Sequence, residues 1–403
     1  MSIFNRKTRT DIRSARTISL KSVASHRLLI LFAIIMLPIL AACTHNVGSE
    51  SNGWNPTISV DGVVYIGTKD GEVIALVDNG SGSLQDKWSF PSNLGQDDLS
   101  GLYNAPVVHG NLVYVNGIDG FLYALDRETG QLAGDGWKRP ENFFEEPEPL
   151  VAGPAYDPTN DIILSPSEDG KLYAYTAKTG NEFWNPFLTG GPIWSTPAVQ
   201  DGVAYFGSQD HKVYAVTLDD GKERWQFETN GVVAGKPLVF DGKVIAGSFD
   251  KNLYALSVDD GAEQWSIEGN NWFWAGAITD GRTIFAPNMD GNIYALDRSG
   301  NLIWKHDVGS AIVSTPVLVP NGLVVAARDG NLLLLNTSTE NLGLQRVLFN
   351  QKIGDAEIKA PLFAVGDSVY VGSQDNTVRR IDFKGGQRNV WCLDTRGEGG
   401  CVN

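Results

Sequence analysis

Eight aspartates recur along the chain, and their carboxylates are the side chains best suited to bind a metal ion such as Ca²⁺. They lie 39 to 50 residues apart, each in a short turn between two apolar segments. Asp is also a preferred residue of the two-residue turn that joins the strands of a hairpin. We therefore interpret them as one turn residue per repeat and predict no metal site. The eight are Asp70, Asp119, Asp169, Asp210, Asp250, Asp290, Asp329 and Asp375.

The residues that acid–base or nucleophilic catalysis would need are sparse. The sequence contains no CxxC, HExxH or GxSxG motif and no phosphate-binding loop. Of the five histidines, two precede the repeats, one lies in a turn and two belong to different repeats. The sequence therefore predicts a protein that is not an enzyme.

The first 42 residues indicate an export signal. A basic region precedes an apolar run, residues 28–40, that is short for a membrane span. Small residues then lead to Leu40-Ala41-Ala42-Cys43, which resembles a bacterial lipobox, where the cysteine is acylated and becomes the mature N-terminus. An uncleaved anchor and an ordinary cleavage site are the alternatives. We predict a lipoprotein signal peptide over residues 1–42, a lipid on Cys43 and a flexible tether over residues 43–55.

The other two cysteines, Cys392 and Cys401, form an even pair in an exported protein, where disulfides are stable. A bridge would join the C-terminal tail to the last repeat. Two free thiols are the alternative.

Charge limits the classes of partner. The net charge is -15, and the first 42 positions hold seven Lys or Arg and only one acid, so the repeats are more acidic still. Nucleic-acid binding needs a basic surface, and so does adhesion to anionic lipid. We predict neither for the repeats.

The eight aspartates belong to a unit of four short strands. In residues 197–225, PAVQDGVAYFGSQDHKVYAVTLDDGKERW, four runs rich in Val, Tyr and Phe are separated by turns with Gly or Asp, as in antiparallel hairpins. A sheet this small cannot bury both faces alone, but radially stacked sheets cover each other. The sequence therefore predicts an all-β fold, an eight-bladed β-propeller of four-stranded antiparallel blades over residues 56–395. Residues 396–403 would form a C-terminal tail.

A second spacing places a small residue ten positions before a tryptophan, as in Ala174 and Trp184 or Ala215 and Trp225. We interpret the small residue as room for an indole from a neighbouring blade. The segments YAYTAKTGNEFW, YAVTLDDGKERW and YALSVDDGAEQW resemble the docking repeat of pyrroloquinoline-quinone (PQQ)-type propellers. The resemblance implies that blades dock through Trp88, Trp137, Trp184, Trp225, Trp265, Trp304 and Trp391.

Aromatic residues concentrate in the linkers that enter the blades. Positions three residues before the blade-opening proline, or before the equivalent residue of a blade that lacks it, should lie near the propeller axis, at one mouth of the central channel. An apolar mouth could bind a peptide or small ligand. Alternatively, the rings plug the channel. The candidate binding residues are Tyr103, Trp194, Trp272, Phe273 and Trp274.

The enlarged linker over residues 138–153 carries Phe143 and Phe144 among four glutamates. Long loops on a rigid scaffold often hold partner contacts, so both are candidate partner-binding residues. A solvated insertion is the alternative.

The lipobox, tether and complete ring together resemble the BamB family, lipoproteins of the outer-membrane β-barrel assembly machinery. The resemblance implies a non-catalytic scaffold of the cell envelope, a monomer within a complex, that binds a membrane protein partner or client through its loops. It implies no cofactor. A lipid anchor would hold it to the outer membrane facing the periplasm, or to the outer face of the cell membrane where no outer membrane exists.

Two other functions remain open. One is a PQQ-dependent dehydrogenase, which the repeats also resemble and which would use the quinone and calcium. Such enzymes typically carry an adjacent cysteine pair, and this chain has none. The other is a ligand-sensing propeller that uses the aromatic mouth.

Overall fold

The computed structural model describes residues 53–80, 82–91, 99–132, 137–140, 147–384, 388–396 and 401. These residues form eight four-stranded antiparallel sheets, each with its strands in sequence order. The predicted eight-bladed β-propeller is confirmed. Within the described residues the helical structure is one 3₁₀ turn, Gly343–Arg346, and no helix is both long and apolar enough to cross a membrane.

Blades 1 to 4 are continuous in sequence. Their strands are β1 (Thr57–Val60), β2 (Val63–Gly67), β3 (Val73–Asp78) and β4 (Leu84–Phe90); β5 (Val107–His109), β6 (Leu112–Asn116), β7 (Leu122–Asp126) and β8 (Trp137–Arg139); β9 (Ala155–Asp157), β10 (Ile162–Pro166), β11 (Lys171–Thr176) and β12 (Glu182–Leu188); β13 (Ala198–Gln200), β14 (Val203–Gly207), β15 (Lys212–Thr217) and β16 (Glu223–Glu228).

Blades 5 to 8 follow the same plan. Their strands are β17 (Leu238–Phe240), β18 (Lys243–Gly247), β19 (Asn252–Ser257) and β20 (Glu263–Glu268); β21 (Ile278–Thr279), β22 (Ile284–Pro287), β23 (Asn292–Leu296) and β24 (Leu302–Asp307); β25 (Val317–Val319), β26 (Gly322–Ala326), β27 (Asn331–Leu335) and β28 (Val347–Lys352); β29 (Phe363–Val365), β30 (Ser368–Gly372), β31 (Thr377–Asp382) and β32 (Arg388–Asp394).

Burial explains the sequence pattern of each strand. In blade 4, β14 is buried at every position and β15 at all but its ends, so both strands are almost continuously apolar. In β16, the outermost strand, buried Trp225 lies between exposed Arg224 and Gln226. This strand alternates because one of its faces meets solvent. The first strands and the linkers before them surround the central channel.

The core is divided among eight seams between neighbouring blades. Each of eight buried apolar clusters combines residues of two adjacent blades, such as Leu164 of blade 3 with Phe206 of blade 4. One cluster joins Tyr370 and Trp391 of blade 8 to Ile66 of blade 1. The ring is therefore closed by packing between its first and last blades.

Five consecutive seams, from blades 1–2 to blades 5–6, share one docking contact; we call them the regular seams. A tryptophan of the fourth strand donates its Nε1–H to a backbone carbonyl of the next blade. The pairs are Trp88 with Arg127 (2.9 Å), Trp137 with Ala177 (2.9 Å), Trp184 with Leu218 (3.2 Å), Trp225 with Val258 (3.0 Å) and Trp265 with Arg298 (3.1 Å).

Glycine provides the space for each of these indoles. A Cβ atom at Gly221 would lie 2.6 Å from the Trp184 ring, and its φ of +67° also disfavours other residues. Ala215, in contrast, lies opposite Trp225 within the same blade. The room therefore comes from the turn glycines rather than from the alanines that the sequence analysis selected.

Two seams in the second half of the ring depart from this pattern. Trp304 of blade 6 is buried, but its Nε1 has no hydrogen-bond partner within the described residues. The guanidinium of Arg346 lies 4.1 Å from the centre of its ring and supplies a cation–π contact instead. In blade 7, Phe349 occupies the tryptophan position and packs against Phe383 of blade 8.

The seam between blades 8 and 1, the closing seam, is held by charged groups. The side chain of Asp78 is 2% exposed, and its carboxylate accepts hydrogen bonds from Arg380 at 2.8 Å and from Trp391 Nε1 at 3.0 Å. Burial opposes ionisation of Asp78. The hydrogen bonds from Trp391, the Gly80 N–H and Arg380 outweigh burial and lower the pKa of Asp78.

A disulfide lies beside this seam. Cys392 of β32 is bonded to Cys401, with the two Cα atoms 5.8 Å apart. Within the loop that the bond closes, Arg396 forms two hydrogen bonds of 2.7 Å to Asp70 of blade 1. The tail is therefore fastened both to blade 8 and to blade 1.

Candidate functional site at the channel mouth

One mouth of the channel is built from the linkers that enter the blades and the turns between second and third strands. In blades 2 to 8 a backbone hydrogen bond of 2.8 to 3.0 Å joins the residue before the turn aspartate to a linker carbonyl, which makes the two segments one rim. The pairs include Glu168 with Pro149, Gln209 with Pro192, Phe249 with Val232, Met289 with Trp272, Arg328 with Ala311 and Gln374 with Glu357.

The turn aspartates hold these turns in shape. Asp210 accepts hydrogen bonds from the backbone N–H of Lys212 at 3.2 Å and from the hydroxyl of Tyr214 at 2.6 Å. Burial and the neighbouring carboxylate raise the pKa of Tyr214, so its hydroxyl remains a donor. The Asp-x-x-x-Tyr spacing is visible in the sequence but was not part of the prediction. It recurs as Asp169–Tyr173, Asp250–Tyr254 and Asp290–Tyr294.

In the part of the chain that the structure describes, no three side chains of His, Cys, Asp or Glu are placed to hold a metal ion. The interpretation of the eight aspartates as turn residues agrees with their hydrogen bonds.

Three rings form an aromatic stack on the blade 5–6 side of the mouth. Phe249 lies between Trp272 and Trp274, with ring centroids 4.5 and 4.9 Å away and interplanar angles of 4° and 21°. Trp272 is 38% exposed. Both tryptophans were predicted from the sequence, but Phe249, which comes from the turn of the preceding blade, was not.

Phe273 does not belong to this stack. It is fully buried in the seam between blades 5 and 6, where its ring packs 5.5 Å from that of Tyr294. Alternate residues of an extended linker point in opposite directions, so Phe273 faces inward while its two neighbours face the mouth. Its prediction as a partner contact is therefore wrong, because a partner cannot reach it.

Two other predicted aromatic residues are held at the mouth by neighbours. Trp194 donates its Nε1–H to Glu168 at 2.7 Å, and burial raises the pKa of Glu168. Tyr103 meets Trp54 edge to face, with centroids 5.0 Å apart. Both rings therefore have a defined orientation.

Trp54 was missed by the sequence analysis, which assigned residues 53–55 to the tether. Its backbone N–H donates to the carbonyl of Leu102 at 2.8 Å, and the next residue, Asn55, is fully buried. By strand register, Trp54 has in blade 1 the position that Trp194 has in blade 4. The signal was present in the sequence, but the blade-opening proline is shifted by one residue in blade 1.

The same shift occurs in blade 8 and brings a charge to the mouth. Lys359, rather than buried Ile358, has the position equivalent to Trp194. Lys359 and Arg328 bind Glu357 at 2.8 and 2.7 Å. Burial opposes ionisation of Glu357, but these two cations lower its pKa. The blade 7–8 side of the mouth is therefore polar, whereas the blade 5–6 side is aromatic.

The channel below this mouth contains a cavity of about 640 Å³. Trp54, Trp194 and Trp274 line the cavity and leave this volume between them, so they do not plug it. Among the described lining residues the charged ones are Lys236 and Lys359, and none is Asp or Glu.

Three predicted residues lie outside the described residues: Cys43, Phe143 and Phe144. The lipid on Cys43 and the partner contacts of the two phenylalanines stay predictions.

The sequence matches the model of a known protein family. The model of the family described as outer membrane protein assembly factor BamB matches residues 44–138, 133–271 and 168–391, most of the chain. Outer membrane protein assembly factor BamB of Moranella endobia (strain PCIT) is 28% identical over 145 residues, 34% of this chain and 36% of that protein. Human serine/threonine-protein kinase/endoribonuclease IRE2 is 29% identical over 133 residues, 32% of this chain and 13% of that protein. The matches thus span only about a third or less of either relative.

Solved structures show the same fold. BamB from Moraxella catarrhalis superposes with a TM-score of 0.60 and 16% identity, covering 72% of this chain and 87% of that one. The computationally designed protein Ika8 superposes with a TM-score of 0.66 and 16% identity, covering 82% and 96%. At this identity the likeness concerns the fold alone.

Proposed function

The chain belongs to the family of outer membrane protein assembly factor BamB, and from this membership we propose that it is a non-catalytic scaffold of the cell envelope. In this proposal the ring is a rigid platform, and its channel mouth holds a protein partner or client during outer-membrane protein assembly. The protein works as a monomer within a complex.

The aromatic stack of Phe249, Trp272 and Trp274 is the observation that carries the proposal. Rigid aromatic rings supply much of the binding energy at protein interfaces, because they bury a large apolar area at little cost in conformational entropy. Trp272 is 38% exposed, and its stacking on Phe249 already fixes its orientation. A partner that covers Trp272 would therefore gain apolar contact without the entropy cost of ordering this side chain.

The polar side of the mouth complements this anchor. Arg328, Glu357 and Lys359 form a partly exposed network next along the ring. Protein interfaces usually combine an apolar centre with a polar rim that fixes orientation. The two sides together form a surface with the composition of a partner-binding face.

Attachment to a membrane would place this mouth near membrane-embedded partners. In the proposal the lipid on Cys43 anchors the chain, and the residues before Gly53 act as the tether. The anchor holds the protein at the outer membrane facing the periplasm, or at the outer face of the cell membrane where no outer membrane exists.

The proposed scaffold needs no cofactor. Quinone dehydrogenases close an adjacent cysteine pair over the quinone, whereas Cys392 and Cys401 of this chain are nine residues apart and bonded to each other. Dye-linked dehydrogenase activity after addition of PQQ and calcium would contradict the proposal.

Removal of the Trp272 side chain tests the proposal. The protein and its Trp272→Ala variant are used to capture partners from detergent-solubilised membranes of the native cell, and the captured proteins are quantified by mass spectrometry. We expect Trp272→Ala to lose most of a specific membrane partner. Phe183→Ala is the matched control, because Phe183 is 39% exposed but lies on the outer strand of blade 3. Equal capture by wild type and Trp272→Ala, or equal loss in both variants, would refute a docking role for the mouth.

A further inference from the structure

We propose that the central channel binds a small organic carboxylate with an apolar, ring-containing body, and that Lys236 binds the carboxylate group. This site lies below the partner-binding mouth and shares Trp274 and Lys359 with it, but exposed Trp272 does not line the cavity. Three observations support this site: the position of Lys236 in the channel wall, the two indoles beside it, and the lack of a counter-charge in the described part of the chain.

The channel wall below the mouth has two tiers of residues, which follow from the register of the first strands. The upper tier consists of Trp54, Tyr103, Val151, Trp194, Ala234, Trp274, Val313 and Lys359. The lower tier, two residues later in each linker, consists of Pro56, Ala105, Gly153, Thr196, Lys236, Gly276, Thr315 and Pro361.

Lys236 is the one long side chain of the lower tier. The other seven positions hold small residues, threonine or proline, so the channel has space for its ammonium group. Lys236 is exposed to this space. Directly above it in the same linker, Ala234 leaves a gap in the upper tier, and the adjacent blades contribute Trp194 and Trp274. The result is a recess with an indole on either side and Lys236 at its base.

Both indoles are fixed before any ligand binds. Trp194 is held by its 2.7 Å hydrogen bond to Glu168, and Trp274 stacks on Phe249 at 4.9 Å. Fixed aromatic faces suit a planar or apolar body, because binding then costs little conformational entropy.

The wall itself is also cross-linked around the ring. Ser195 donates its hydroxyl to the carbonyl of Gly235 at 2.8 Å, the N–H of Gly153 donates to Thr196 Oγ1 at 2.9 Å, and Asn104 Nδ2 donates to the carbonyl of Val151 at 2.7 Å. The cavity of about 640 Å³ is therefore preformed, and its size is that of a small-molecule site.

Lys236 lacks a counter-charge in the described part of the chain, where no ion pair or hydrogen bond of its ammonium is found. Water in the channel reaches this group, yet the surrounding wall removes enough hydration to lower the pKa of Lys236. No Asp or Glu lies among the described residues that line the cavity, in a protein with a net charge of -15. A partly desolvated cation without a partner favours an anionic ligand, since pairing offsets the hydration that the channel wall removes.

Lys359 supplies a second positive charge, which Glu357 partly neutralises. It lies in the upper tier but already binds Glu357 at 2.8 Å. We therefore expect Lys236 to contribute more to carboxylate binding than Lys359.

Calorimetric titration with sodium 2-naphthoate tests the proposal, with the neutral alcohol 2-naphthalenemethanol as the comparison ligand. We expect one naphthoate to bind, and the alcohol to bind about tenfold more weakly because it forms no charge-assisted hydrogen bond. Lys236→Gln should weaken naphthoate binding by about tenfold, and Lys359→Gln should weaken it less. Lys222→Gln is the matched control, because Lys222 lies on an outer turn of blade 4 and is 77% exposed.

Two peptides distinguish the source of the carboxylate. Acetyl-Gly-Gly-Gly-Phe is titrated with a free C-terminus and as its amide. Binding of the free acid alone, lost in Lys236→Gln, would identify a chain terminus as a ligand, whereas binding of naphthoate without either peptide would identify a free small acid. Both results support the same site chemistry.

Three results would overturn the proposal: no naphthoate binding at millimolar concentration, equal affinity for the alcohol, or unchanged affinity in a Lys236→Gln variant with wild-type thermal stability. None of them bears on partner capture by the Trp272 variant, so the two proposals fail independently.

Discussion

The regular seams and the closing seam solve the same packing problem with different chemistry. In the regular seams a neutral indole donates to a backbone carbonyl and rests on a glycine, as Trp184 does with Leu218 and Gly221. In the closing seam Trp391 donates instead to the buried carboxylate of Asp78, which also binds Arg380.

This difference follows from how the two kinds of seam are connected. Blades at a regular seam are joined by a linker, so the chain itself keeps them adjacent. Blades 8 and 1 have no such link, and no strand is shared between them in the described part of the chain. We interpret the buried ion pair of Asp78 and Arg380 as a substitute for the missing connection, because such a pair tolerates few alternative arrangements. The comparison leads to four predictions.

Asp78→Ala should have the largest effect. It leaves Arg380 and the Trp391 Nε1–H without their buried acceptor, and breaking one side of a buried ion pair costs about 3 to 5 kcal/mol. Chemical denaturation measures the free energy of unfolding. Asp86→Ala, at an exposed position of β4, is the control and should change it by less than about 0.5 kcal/mol. A loss of similar size in both variants would remove the special role of the closing seam.

Gly221→Ala should destabilise a regular seam by about 2 to 4 kcal/mol, because the new methyl group collides with Trp184 and the backbone has a positive φ. Gly202→Ala separates the two causes. Gly202 has a similar φ, +72°, but no atom lies within 4 Å of the place that its new methyl group would occupy. We expect it to lose only about 1 kcal/mol in the same denaturation measurement. Equal losses would show that indole docking does not depend on glycine.

Trp225→Phe should cost about 1 kcal/mol more than Trp304→Phe. Both indoles are buried, but only Trp225 donates a hydrogen bond to the next blade, and its loss leaves the Val258 carbonyl unpaired. Thermal unfolding of the two variants side by side gives the difference. A larger loss for Trp304→Phe would mean that the Arg346 cation–π contact outweighs the hydrogen bond.

The stability that the closing seam contributes should depend on pH. The pKa of Asp78 is lowered in the folded protein from its ordinary value of 3.8. Its ionised form therefore adds stability above that value, and this contribution disappears as the pH falls through the lower folded pKa. The difference in unfolding free energy between wild type and Asp78→Asn should be constant above about pH 5 and shrink below about pH 4. A difference that grows in acid would reverse the assigned sign.

The sequence was sufficient for the fold, because a turn aspartate marks every blade and a closing tryptophan marks every blade except blade 7, where Phe349 takes its place. Local spacing predicted the docking tryptophans as well. It did not identify Gly221 as the receiving residue, because the contact joins two blades whose relative offset only the assembled ring defines.

The mouth was predicted in part for a similar reason. Trp194 was found because a proline marks its linker, and Trp274 because Ala277 has the equivalent position in blade 6, with Trp272 beside it in the same linker. Trp54 and Lys359 were missed because that proline is shifted by one residue in blades 1 and 8. Phe249 was missed because it reaches the stack from another blade, and the orientation of Phe273 depends on how the linker is extended.

The closing seam also determines when the ring can be completed during biogenesis. Asp78 and Arg380 are separated by 302 residues, whereas the tryptophan and its acceptor in a regular seam are 33 to 40 residues apart. Neighbouring blades can associate while the rest of the polypeptide is still emerging, but the first blade keeps one flank uncovered until the last blade arrives. For that interval the unpaired flank of blade 1 is the surface most in need of a chaperone.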